Sequence, residues 1–367
     1  MPWGHRSIAK AIFNYLKTRE KDNDWQVTYA EVDSKLDMLN DIYTFIYRLV
    51  PAYNRLSSKL MEYKTIRELM KESSNRNMND LKKVVRKYKP DLVISAYFFL
   101  SISLAKWRKE SDEKFKLWTV VADPWSINPV SLVTESDLHL VYDEVGVEMA
   151  KSYGIDEDKV LASGWWTRSE MFQKFDKKAA RKKLGFDDDR PIIFVGGGSL
   201  GTSALPKLLP MLMFVKTKIG IIFNSGTDKL AFNMVEEYAR IFKRLRKDNQ
   251  IIIKNLGWIE NMAEVLAACD IVFGKAGPNF LFDTVASGKP FVAITHIGGQ
   301  EDGNIEIIKK KKLGWVKENN VEAGNFFLKY LESPETYNHK FDKYIEAEAE
   351  NNRKSFGMIE KRLKKDL

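Results

Sequence analysis

Cysteine and histidine are scarce in this 367-residue chain: one cysteine, Cys269, and four histidines, His5, His139, His296 and His339. A lone thiol excludes a disulfide framework and a thiolate metal cluster, and suits a reducing compartment. The histidines stand far apart in sequence, so no metal site is expected. Long hydrophobic runs are missing too. None approaches the roughly 18 residues of a spanning helix, so an integral membrane protein is not expected. Met1-Pro2-Trp3-Gly4-His5-Arg6 lacks the apolar stretch of a secretory leader, which points to a cytoplasmic protein. Solenoid-type repeats and low-complexity tracts are also wanting. What is present is 44% hydrophobic and 12% aromatic residues, a globular composition long enough for two domains. Lys and Arg number 59 against 50 Asp and Glu, and the excess of nine positive charges asks for an anionic partner: nucleic acid, a membrane surface or a phosphorylated substrate.

Along the chain, short apolar runs alternate with helical patterns, which argues for parallel sheets covered on both faces. In the first half, helices are expected at Ser7–Leu16, across Asp41–Leu69 (interrupted at Pro51), at Leu81–Tyr88 and at Glu144–Tyr153. Strands are expected at Trp25–Val32, Asp91–Ser95, Leu117–Ala122 and Leu138–Tyr142. The second half repeats this grammar from Pro191 to Ile294. Between them lies a cationic stretch, Lys174–Lys183, read as a solvated helix face.

Three glycine-bearing turns follow strands of the second half. Gly196-Gly197-Gly198-Ser199-Leu200-Gly201 opens a helix and offers backbone N–H groups to an anion, or is simply a tight turn. No Gly-Lys-Ser/Thr follows it, which excludes a triphosphatase loop. Gly274-Lys275-Ala276-Gly277-Pro278-Asn279 leads into a helix carrying Asp283, suited to a ribose diol or to stabilising the helix N-terminus. Gly298-Gly299-Gln300-Glu301-Asp302-Gly303-Asn304 sets amide and carboxylate side chains on a loop, as hydroxyl recognition needs, or forms a capped polar turn before Ile305–Lys310. At the amino end, His5 stands where a helix dipole favours the neutral base, or is an ordinary surface histidine.

Taken together, these segments resemble the GT-B glycosyltransferases that build membrane glycolipids: the monogalactosyldiacylglycerol synthase and processive diacylglycerol glucosyltransferase group, and more distantly the lipid II N-acetylglucosaminyltransferase. Gly4-His5-Arg6-Ser7 is similar to the family's Gly-Gly-His-Arg loop, Lys89-Pro90-Asp91 to its Pro-Asp strand, and Thr119-Val120-Val121-Ala122-Asp123 to its Thr-Val-Val-Thr-Asp strand. Leu256-Gly257-Trp258-Ile259, Lys275-Ala276-Gly277-Pro278 with Asp283, and Gly299-Gln300-Glu301-Asp302-Gly303-Asn304 resemble its donor-binding segments. The sequence departs from that pattern where Asn279-Phe280 replaces a Gly-Thr pair, Asp283 a glutamate, and Tyr97 a histidine. A strand that precedes the Gly-His loop in the family has no counterpart after Met1, so either the start lies upstream or that strand is missing.

The resemblance implies an α/β protein of the GT-B class, with two doubly wound Rossmann-like domains facing across a cleft. Residues 1–164 would form the acceptor and membrane-facing domain, 165–189 a linker, 190–340 the UDP-sugar-binding domain, and 341–367 a helix packing back on the first domain. The activity implied is inverting, metal-independent transfer of a hexose from a UDP-sugar to a lipid such as diacylglycerol, with no cofactor. His5 would deprotonate the acceptor, with Asp123 the alternative base. Gly198, Ser199, Arg168, Gly277, Pro278 and Asn279 would meet the diphosphate side of the donor. Trp258 and Ile259 would hold the base, Asp283 the ribose, and Gln300, Glu301 and Asn304 the hexose. Tyr97, Phe98, Trp125, Arg48 and Arg55 would face the lipid. Arg48–Lys116 holds 17 Lys and Arg against 8 Asp and Glu, interleaved with aromatics, and is expected to meet an anionic cytoplasmic membrane face, or else to be core aromatics under a solvated charged surface. A catalytically degenerate UDP-sugar- or lipid-binding protein is the alternative, and a UDP-sugar epimerase a lesser one. Nucleic acid is not expected as a partner, because no base-reading motif accompanies the charge.

Overall fold

The computed structural model describes residues 3–32, 78–196, 205–246 and 250–367, with isolated positions between 55 and 68. The chain divides into two units. One comprises Met1–Arg168, Ile297–Gly303 and Asn351–Leu367; the other comprises Ser169–His296 and Asn304–Glu350.

The first unit opens with helix α1 (Trp3–Thr18), which buries Ile8, Ala11, Ile12 and Leu16 at helical spacing. After α2 (Met78–Tyr88) come β1 (Leu92–Ser95), α3 (Phe98–Glu110), β2 (Lys116–Val120), β3 (Leu138–Val141), α4 (Glu144–Ser152) and β4 (Val160–Ala162). The four strands are parallel and, among the described residues, lie in sequence order β1-β2-β3-β4. β3 is buried at all four positions, as a strand covered on both faces must be. Asp143 caps α4 by accepting from Gly146 N at 3.4 Å.

Trp25–Val32, expected as a strand, pairs with no strand among the described residues. Its alternation comes instead from packing beside α1. The Glu20 carboxylate takes Val27 N–H at 2.6 Å, Tyr29 meets Phe13 at 5.6 Å between ring centroids, and Val32 joins the core around Leu81 and Trp107. The helix expected over Asp41–Leu69 lies almost entirely outside the described residues.

The second unit contains α5 (Lys177–Lys183), β5 (Ile192–Gly196), β6 (Ile219–Asn224), α6 (Lys229–Leu245), β7 (Ile251–Leu256), α7 (Met262–Ala268), β8 (Ile271–Lys275), α8 (Pro278–Ala286), β9 (Phe291–Thr295), α9 (Asp302–Lys310), β10 (Gly314–Val316) and α10 (Asn320–Glu332). Among the described residues its six parallel strands run β10-β9-β8-β5-β6-β7, so the order reverses between β5 and β8. Such a reversal opens a crevice at the carboxyl ends of the two strands, the general place for a ligand in an open α/β sheet. β5, β8 and β9 are apolar almost throughout and form the core with Phe223, Phe326, Phe327 and Tyr330.

The last helix, α11 (Asp342–Asp366), contributes residues 351–367 to the first unit. There Phe356 stacks on Tyr15 at 5.0 Å, Glu360 accepts from the Tyr15 hydroxyl at 2.9 Å, and Asn352 Oδ1 accepts from Trp165 N at 2.8 Å.

The cationic stretch Lys174–Lys183 is not only a solvated face. Arg181 turns inward, donating to Asp270 at 2.8 Å and to Ala268 O at 3.0 Å, while Lys177 reaches the same carboxylate at 2.6 Å. Asp270 also accepts from Ile192 N at 2.7 Å, so one buried carboxylate ties α5 to the amino ends of β5 and β8. Asp270→Ala would leave Arg181 buried without its counter-charge and is expected to cost about 3 kcal/mol. Chemical denaturation of variant and wild type reads this directly.

Candidate active site

In the first unit the candidate groups gather at the carboxyl ends of β1 and β2. α1 begins at Trp3, so His5 lies within the first helical turn rather than in a loop before it. It is no ordinary surface residue. Its Nδ1 stands 2.7 Å from Ala96 O, just past β1, and its ring lies 4.9 Å from that of Tyr97. A carbonyl can only accept, so Nδ1 carries the proton and Nε2 keeps its lone pair. Burial pushes the imidazole down to about 4, which keeps it neutral at pH 7. Tyr97 precedes α3 and is buried, its hydroxyl raised to about 12 by desolvation. Phe98 and Phe99 pack on it, each at 5.5 Å between ring centroids.

Asp123 follows β2. Burial raises its carboxyl to about 6, opposed by a hydrogen bond from Gln300 Nε2 at 3.1 Å and reinforced by the nearby charge of Glu301. The two residues meet because segment 297–303 lies on the backbone after β2. Gly303 N donates to Ser126 Oγ at 2.6 Å, and a Cβ on Gly303 would fall 2.4 Å from Trp125 C and 2.5 Å from Pro124 O. Trp125 itself takes a left-handed backbone (φ 52°), and its indole donates to Asp143 at 2.8 Å. Arg55 is exposed and packs against Gly298.

The loop residues divide by role. Gln300 is exposed. Glu301 is buried and accepts from Ile297 N at 2.7 Å; Asn304 is buried and donates to Ala276 O at 2.7 Å; Asp302 accepts from Gly299 N at 3.0 Å. Glu301 and Asn304 each hold a backbone group. The Asn304 Oδ1 is buried without a hydrogen-bond partner.

In the second unit, Gly277 caps α8 and Pro278 takes its first position, where a missing N–H costs nothing. The helix starts at Pro278, so Asp283 falls in its second turn. Stabilisation of the N-terminus fades within the first turn, which removes that explanation of Asp283. Asp283 is buried and Asn279 half-buried. The Phe280 ring packs on the strand ends at the β5/β8 reversal: a Cβ on Gly196 or Gly274 would meet it at 2.9 Å or 2.6 Å. A bulky residue fits there because both strand ends are glycine. Trp258, 64% exposed, and half-buried Ile259 follow edge strand β7, two strands removed from β8 across β5 and β6.

Gly198, Ser199 and Arg48 lie outside the described residues, and Arg168 is half-buried at the end of the first unit's main segment. Sequence reasoning passed over His296, Glu318 and Lys207. His296 pairs with Glu318 through Nδ1, and the Lys207 ammonium donates to Ile294 O at 2.6 Å and to Glu318 O at 2.7 Å. The available signal was position alone, since His296 and Glu318 stand just beyond β9 and β10.

Residues 5–165 match the family model for monogalactosyldiacylglycerol synthase, and residues 192–362 match the glycosyltransferase family 28 C-terminal domain. The chain is 26% identical over 301 residues to the UDP-N-acetylglucosamine–N-acetylmuramyl-(pentapeptide) pyrophosphoryl-undecaprenol N-acetylglucosamine transferase of Acetivibrio thermocellus, covering 79% of this chain and 74% of that one. It is 24% identical over 354 residues to the chloroplastic monogalactosyldiacylglycerol synthase of Spinacia oleracea, covering 90% of this chain but only 62% of that enzyme's length. Among solved structures, Anabaena HepE in complex with UDP and glucose aligns with a TM-score of 0.54 at 15% identity, over 78% of this chain and 80% of that one. Acinetobacter baumannii MurG aligns at 0.52 and 15%, over 74% of each. These likenesses establish the GT-B fold.

Gly303→Ala forces its Cβ into backbone that has no side chain to move aside, and is expected to cost about 1–3 kcal/mol. Ser126→Ala removes only one hydrogen bond, at about 1 kcal/mol. Denaturation midpoints of the two variants should fall in that order.

Proposed function

We propose that this chain, which has the GT-B fold and matches the monogalactosyldiacylglycerol synthase model over residues 5–165 and the glycosyltransferase family 28 C-terminal model over residues 192–362, transfers a hexose from a UDP-sugar to the hydroxyl of a membrane lipid, with inversion and without a metal. The observation that carries this reading is the Gln300–Asp123 hydrogen bond at 3.1 Å, which sets a residue of the sugar-type loop against a carboxylate able to accept a proton near neutrality.

In this reading the donor lies along the carboxyl edge of the second sheet. The base rests on exposed Trp258 with Ile259, the ribose meets Asp283, and the diphosphate takes the α8 N-terminus at Gly277–Asn279 together with Arg168. Preorganised N–H donors and a guanidinium would stabilise the leaving diphosphate as its charge develops. Gln300 would bind hexose hydroxyls. Glu301 and Asn304 would act from behind, by fixing the loop. The lipid acceptor would approach His5, Tyr97 and Phe98. Exposed Leu56, Leu60 and Tyr63, beside Arg55 and Lys59, are suited to an anionic membrane surface. No described helix is long and apolar enough to cross a membrane.

Two bases are available, and their titration separates them. Each acts only when deprotonated, so catalysis through Asp123 would fall tenfold per pH unit below about 6, whereas catalysis through His5 would persist to about 4. The acid limb of kcat, measured with UDP-sugars and diacylglycerol, tells which operates. Removal of the working base is expected to lower kcat by about 10²–10⁴, and His5→Ala with wild-type kcat would eliminate His5.

Phe280 at the strand reversal favours a second reading, in which the protein binds a UDP-sugar or lipid without transfer. UDP binding by calorimetry, with no turnover in a mass-spectrometric screen of donors against extracted lipids, would establish that reading in place of the first.

A further inference from the structure

The second unit carries an apolar surface that neither its core nor the candidate site uses. On α6, Ala231, Val235 and Phe242 are buried against the sheet, whereas Leu230, Met234, Ile241 and Leu245 are 37–72% exposed. At 3.6 residues per turn those four fall within an arc of about 60°, directly beside the buried face, along about 22 Å of helix. The apolar arc of the helix is thus wider than the part of it that the sheet covers. The neighbouring 3-10 segment Leu209–Phe214 ends in Met213 and Phe214, 46% and 65% exposed. It is fixed beside α6 by the Tyr238 hydroxyl, which donates to Leu209 O, and by Arg246, which donates to Leu212 O at 3.3 Å and to Val215 O.

Charge around this surface has one dominant sign. Between Met213 and Arg246 stand Lys216, Lys218, Lys229, Arg240, Lys243, Arg244 and Arg246, against only Asp228, Glu236 and Glu237. The acids are engaged within the fold. Asp228 caps α6, Glu236 accepts from Asn255 at 2.8 Å, and Glu237 pairs with Arg240 at 3.0 Å.

We propose that this face, formed by α6 and Met213–Phe214, inserts shallowly into an anionic lipid surface, so that the second unit has a membrane contact of its own. A straight apolar stripe with cations along its polar flank is the pattern of an interfacial helix: the side chains enter the headgroup boundary and the cations meet lipid phosphates. A second copy of the chain is a poorer occupant, because a two-fold contact through this face would oppose like charges. The inference does not depend on which sugar or lipid the enzyme uses.

Cys269 is buried, so Ile241→Cys in the full-length chain takes a polarity-sensitive dye at one place. With vesicles of phosphatidylcholine containing 30–40% (about one third) phosphatidylglycerol, the dye emission should shift to the blue and be quenched by lipids labelled near the headgroup. Phosphatidylcholine alone should produce neither effect. The triple variant Phe214→Ser, Ile241→Ser, Leu245→Ser should weaken anionic-vesicle binding by about tenfold or more while keeping the wild-type circular dichroism. A dye that stays in water while the protein floats with the vesicles would overturn the proposal and leave binding through Arg55–Tyr63 untouched. A blue shift that needs no lipid and tracks a dimer in sedimentation would overturn it in favour of self-association, and one produced only by added protein would do so in favour of a protein partner.

Discussion

Segment 297–303 can lie on Pro124–Ser126 only because Gly303 has no side chain, and the chemistry of the first unit follows from that approach. With Gly303 in contact, its N–H reaches Ser126 Oγ and Gln300 reaches Asp123. Asp123 is half-buried there, and desolvation raises its affinity for a proton, moderated by the Gln300 amide. Glu301 accepts from Ile297 N of the same loop, and Asn304 donates to Ala276 O, just before α8.

His5 and Asp123 are two titratable groups in different surroundings at the ends of adjacent strands. His5 is neutral through burial, with its tautomer set by the Ala96 carbonyl. Asp123 titrates nearer neutrality. In the second unit, the strand reversal at β5 and β8 brings Gly196 and Gly274 side by side, and the Phe280 ring closes over both. What looks in sequence like an intrusive substitution beside the Gly-Pro turn is accommodated by two glycines, one of them about eighty residues away.

Much of the fold was legible because its signals are local. Continuous apolar runs such as Ile192–Val195 mark strands covered on both faces, and helix period marks α4, α6 and α7. Trp25–Val32 alternates because a half-buried extended chain does so whether or not it pairs, and here Glu20 takes the Val27 N–H. Arg181 looks solvent-facing in sequence because a run of charge gives no sign that one member has a buried carboxylate on a distant strand end.

The sequence by itself determined the α/β class, the glycine-bearing turns after strands and the resemblance to the glycolipid glycosyltransferases, since each depends on residues within one element or one short motif. Tertiary structure decided which of those residues hold the backbone and which remain available. It joined Gln300 to Asp123 and His5 to Ala96, paired His296 with Glu318, placed Asp283 beyond the first turn of its helix, and left one side of α6 uncovered. Burial, proton affinity and close backbone approach depend on what stands opposite a residue in space, and spacing along the chain carries no record of that.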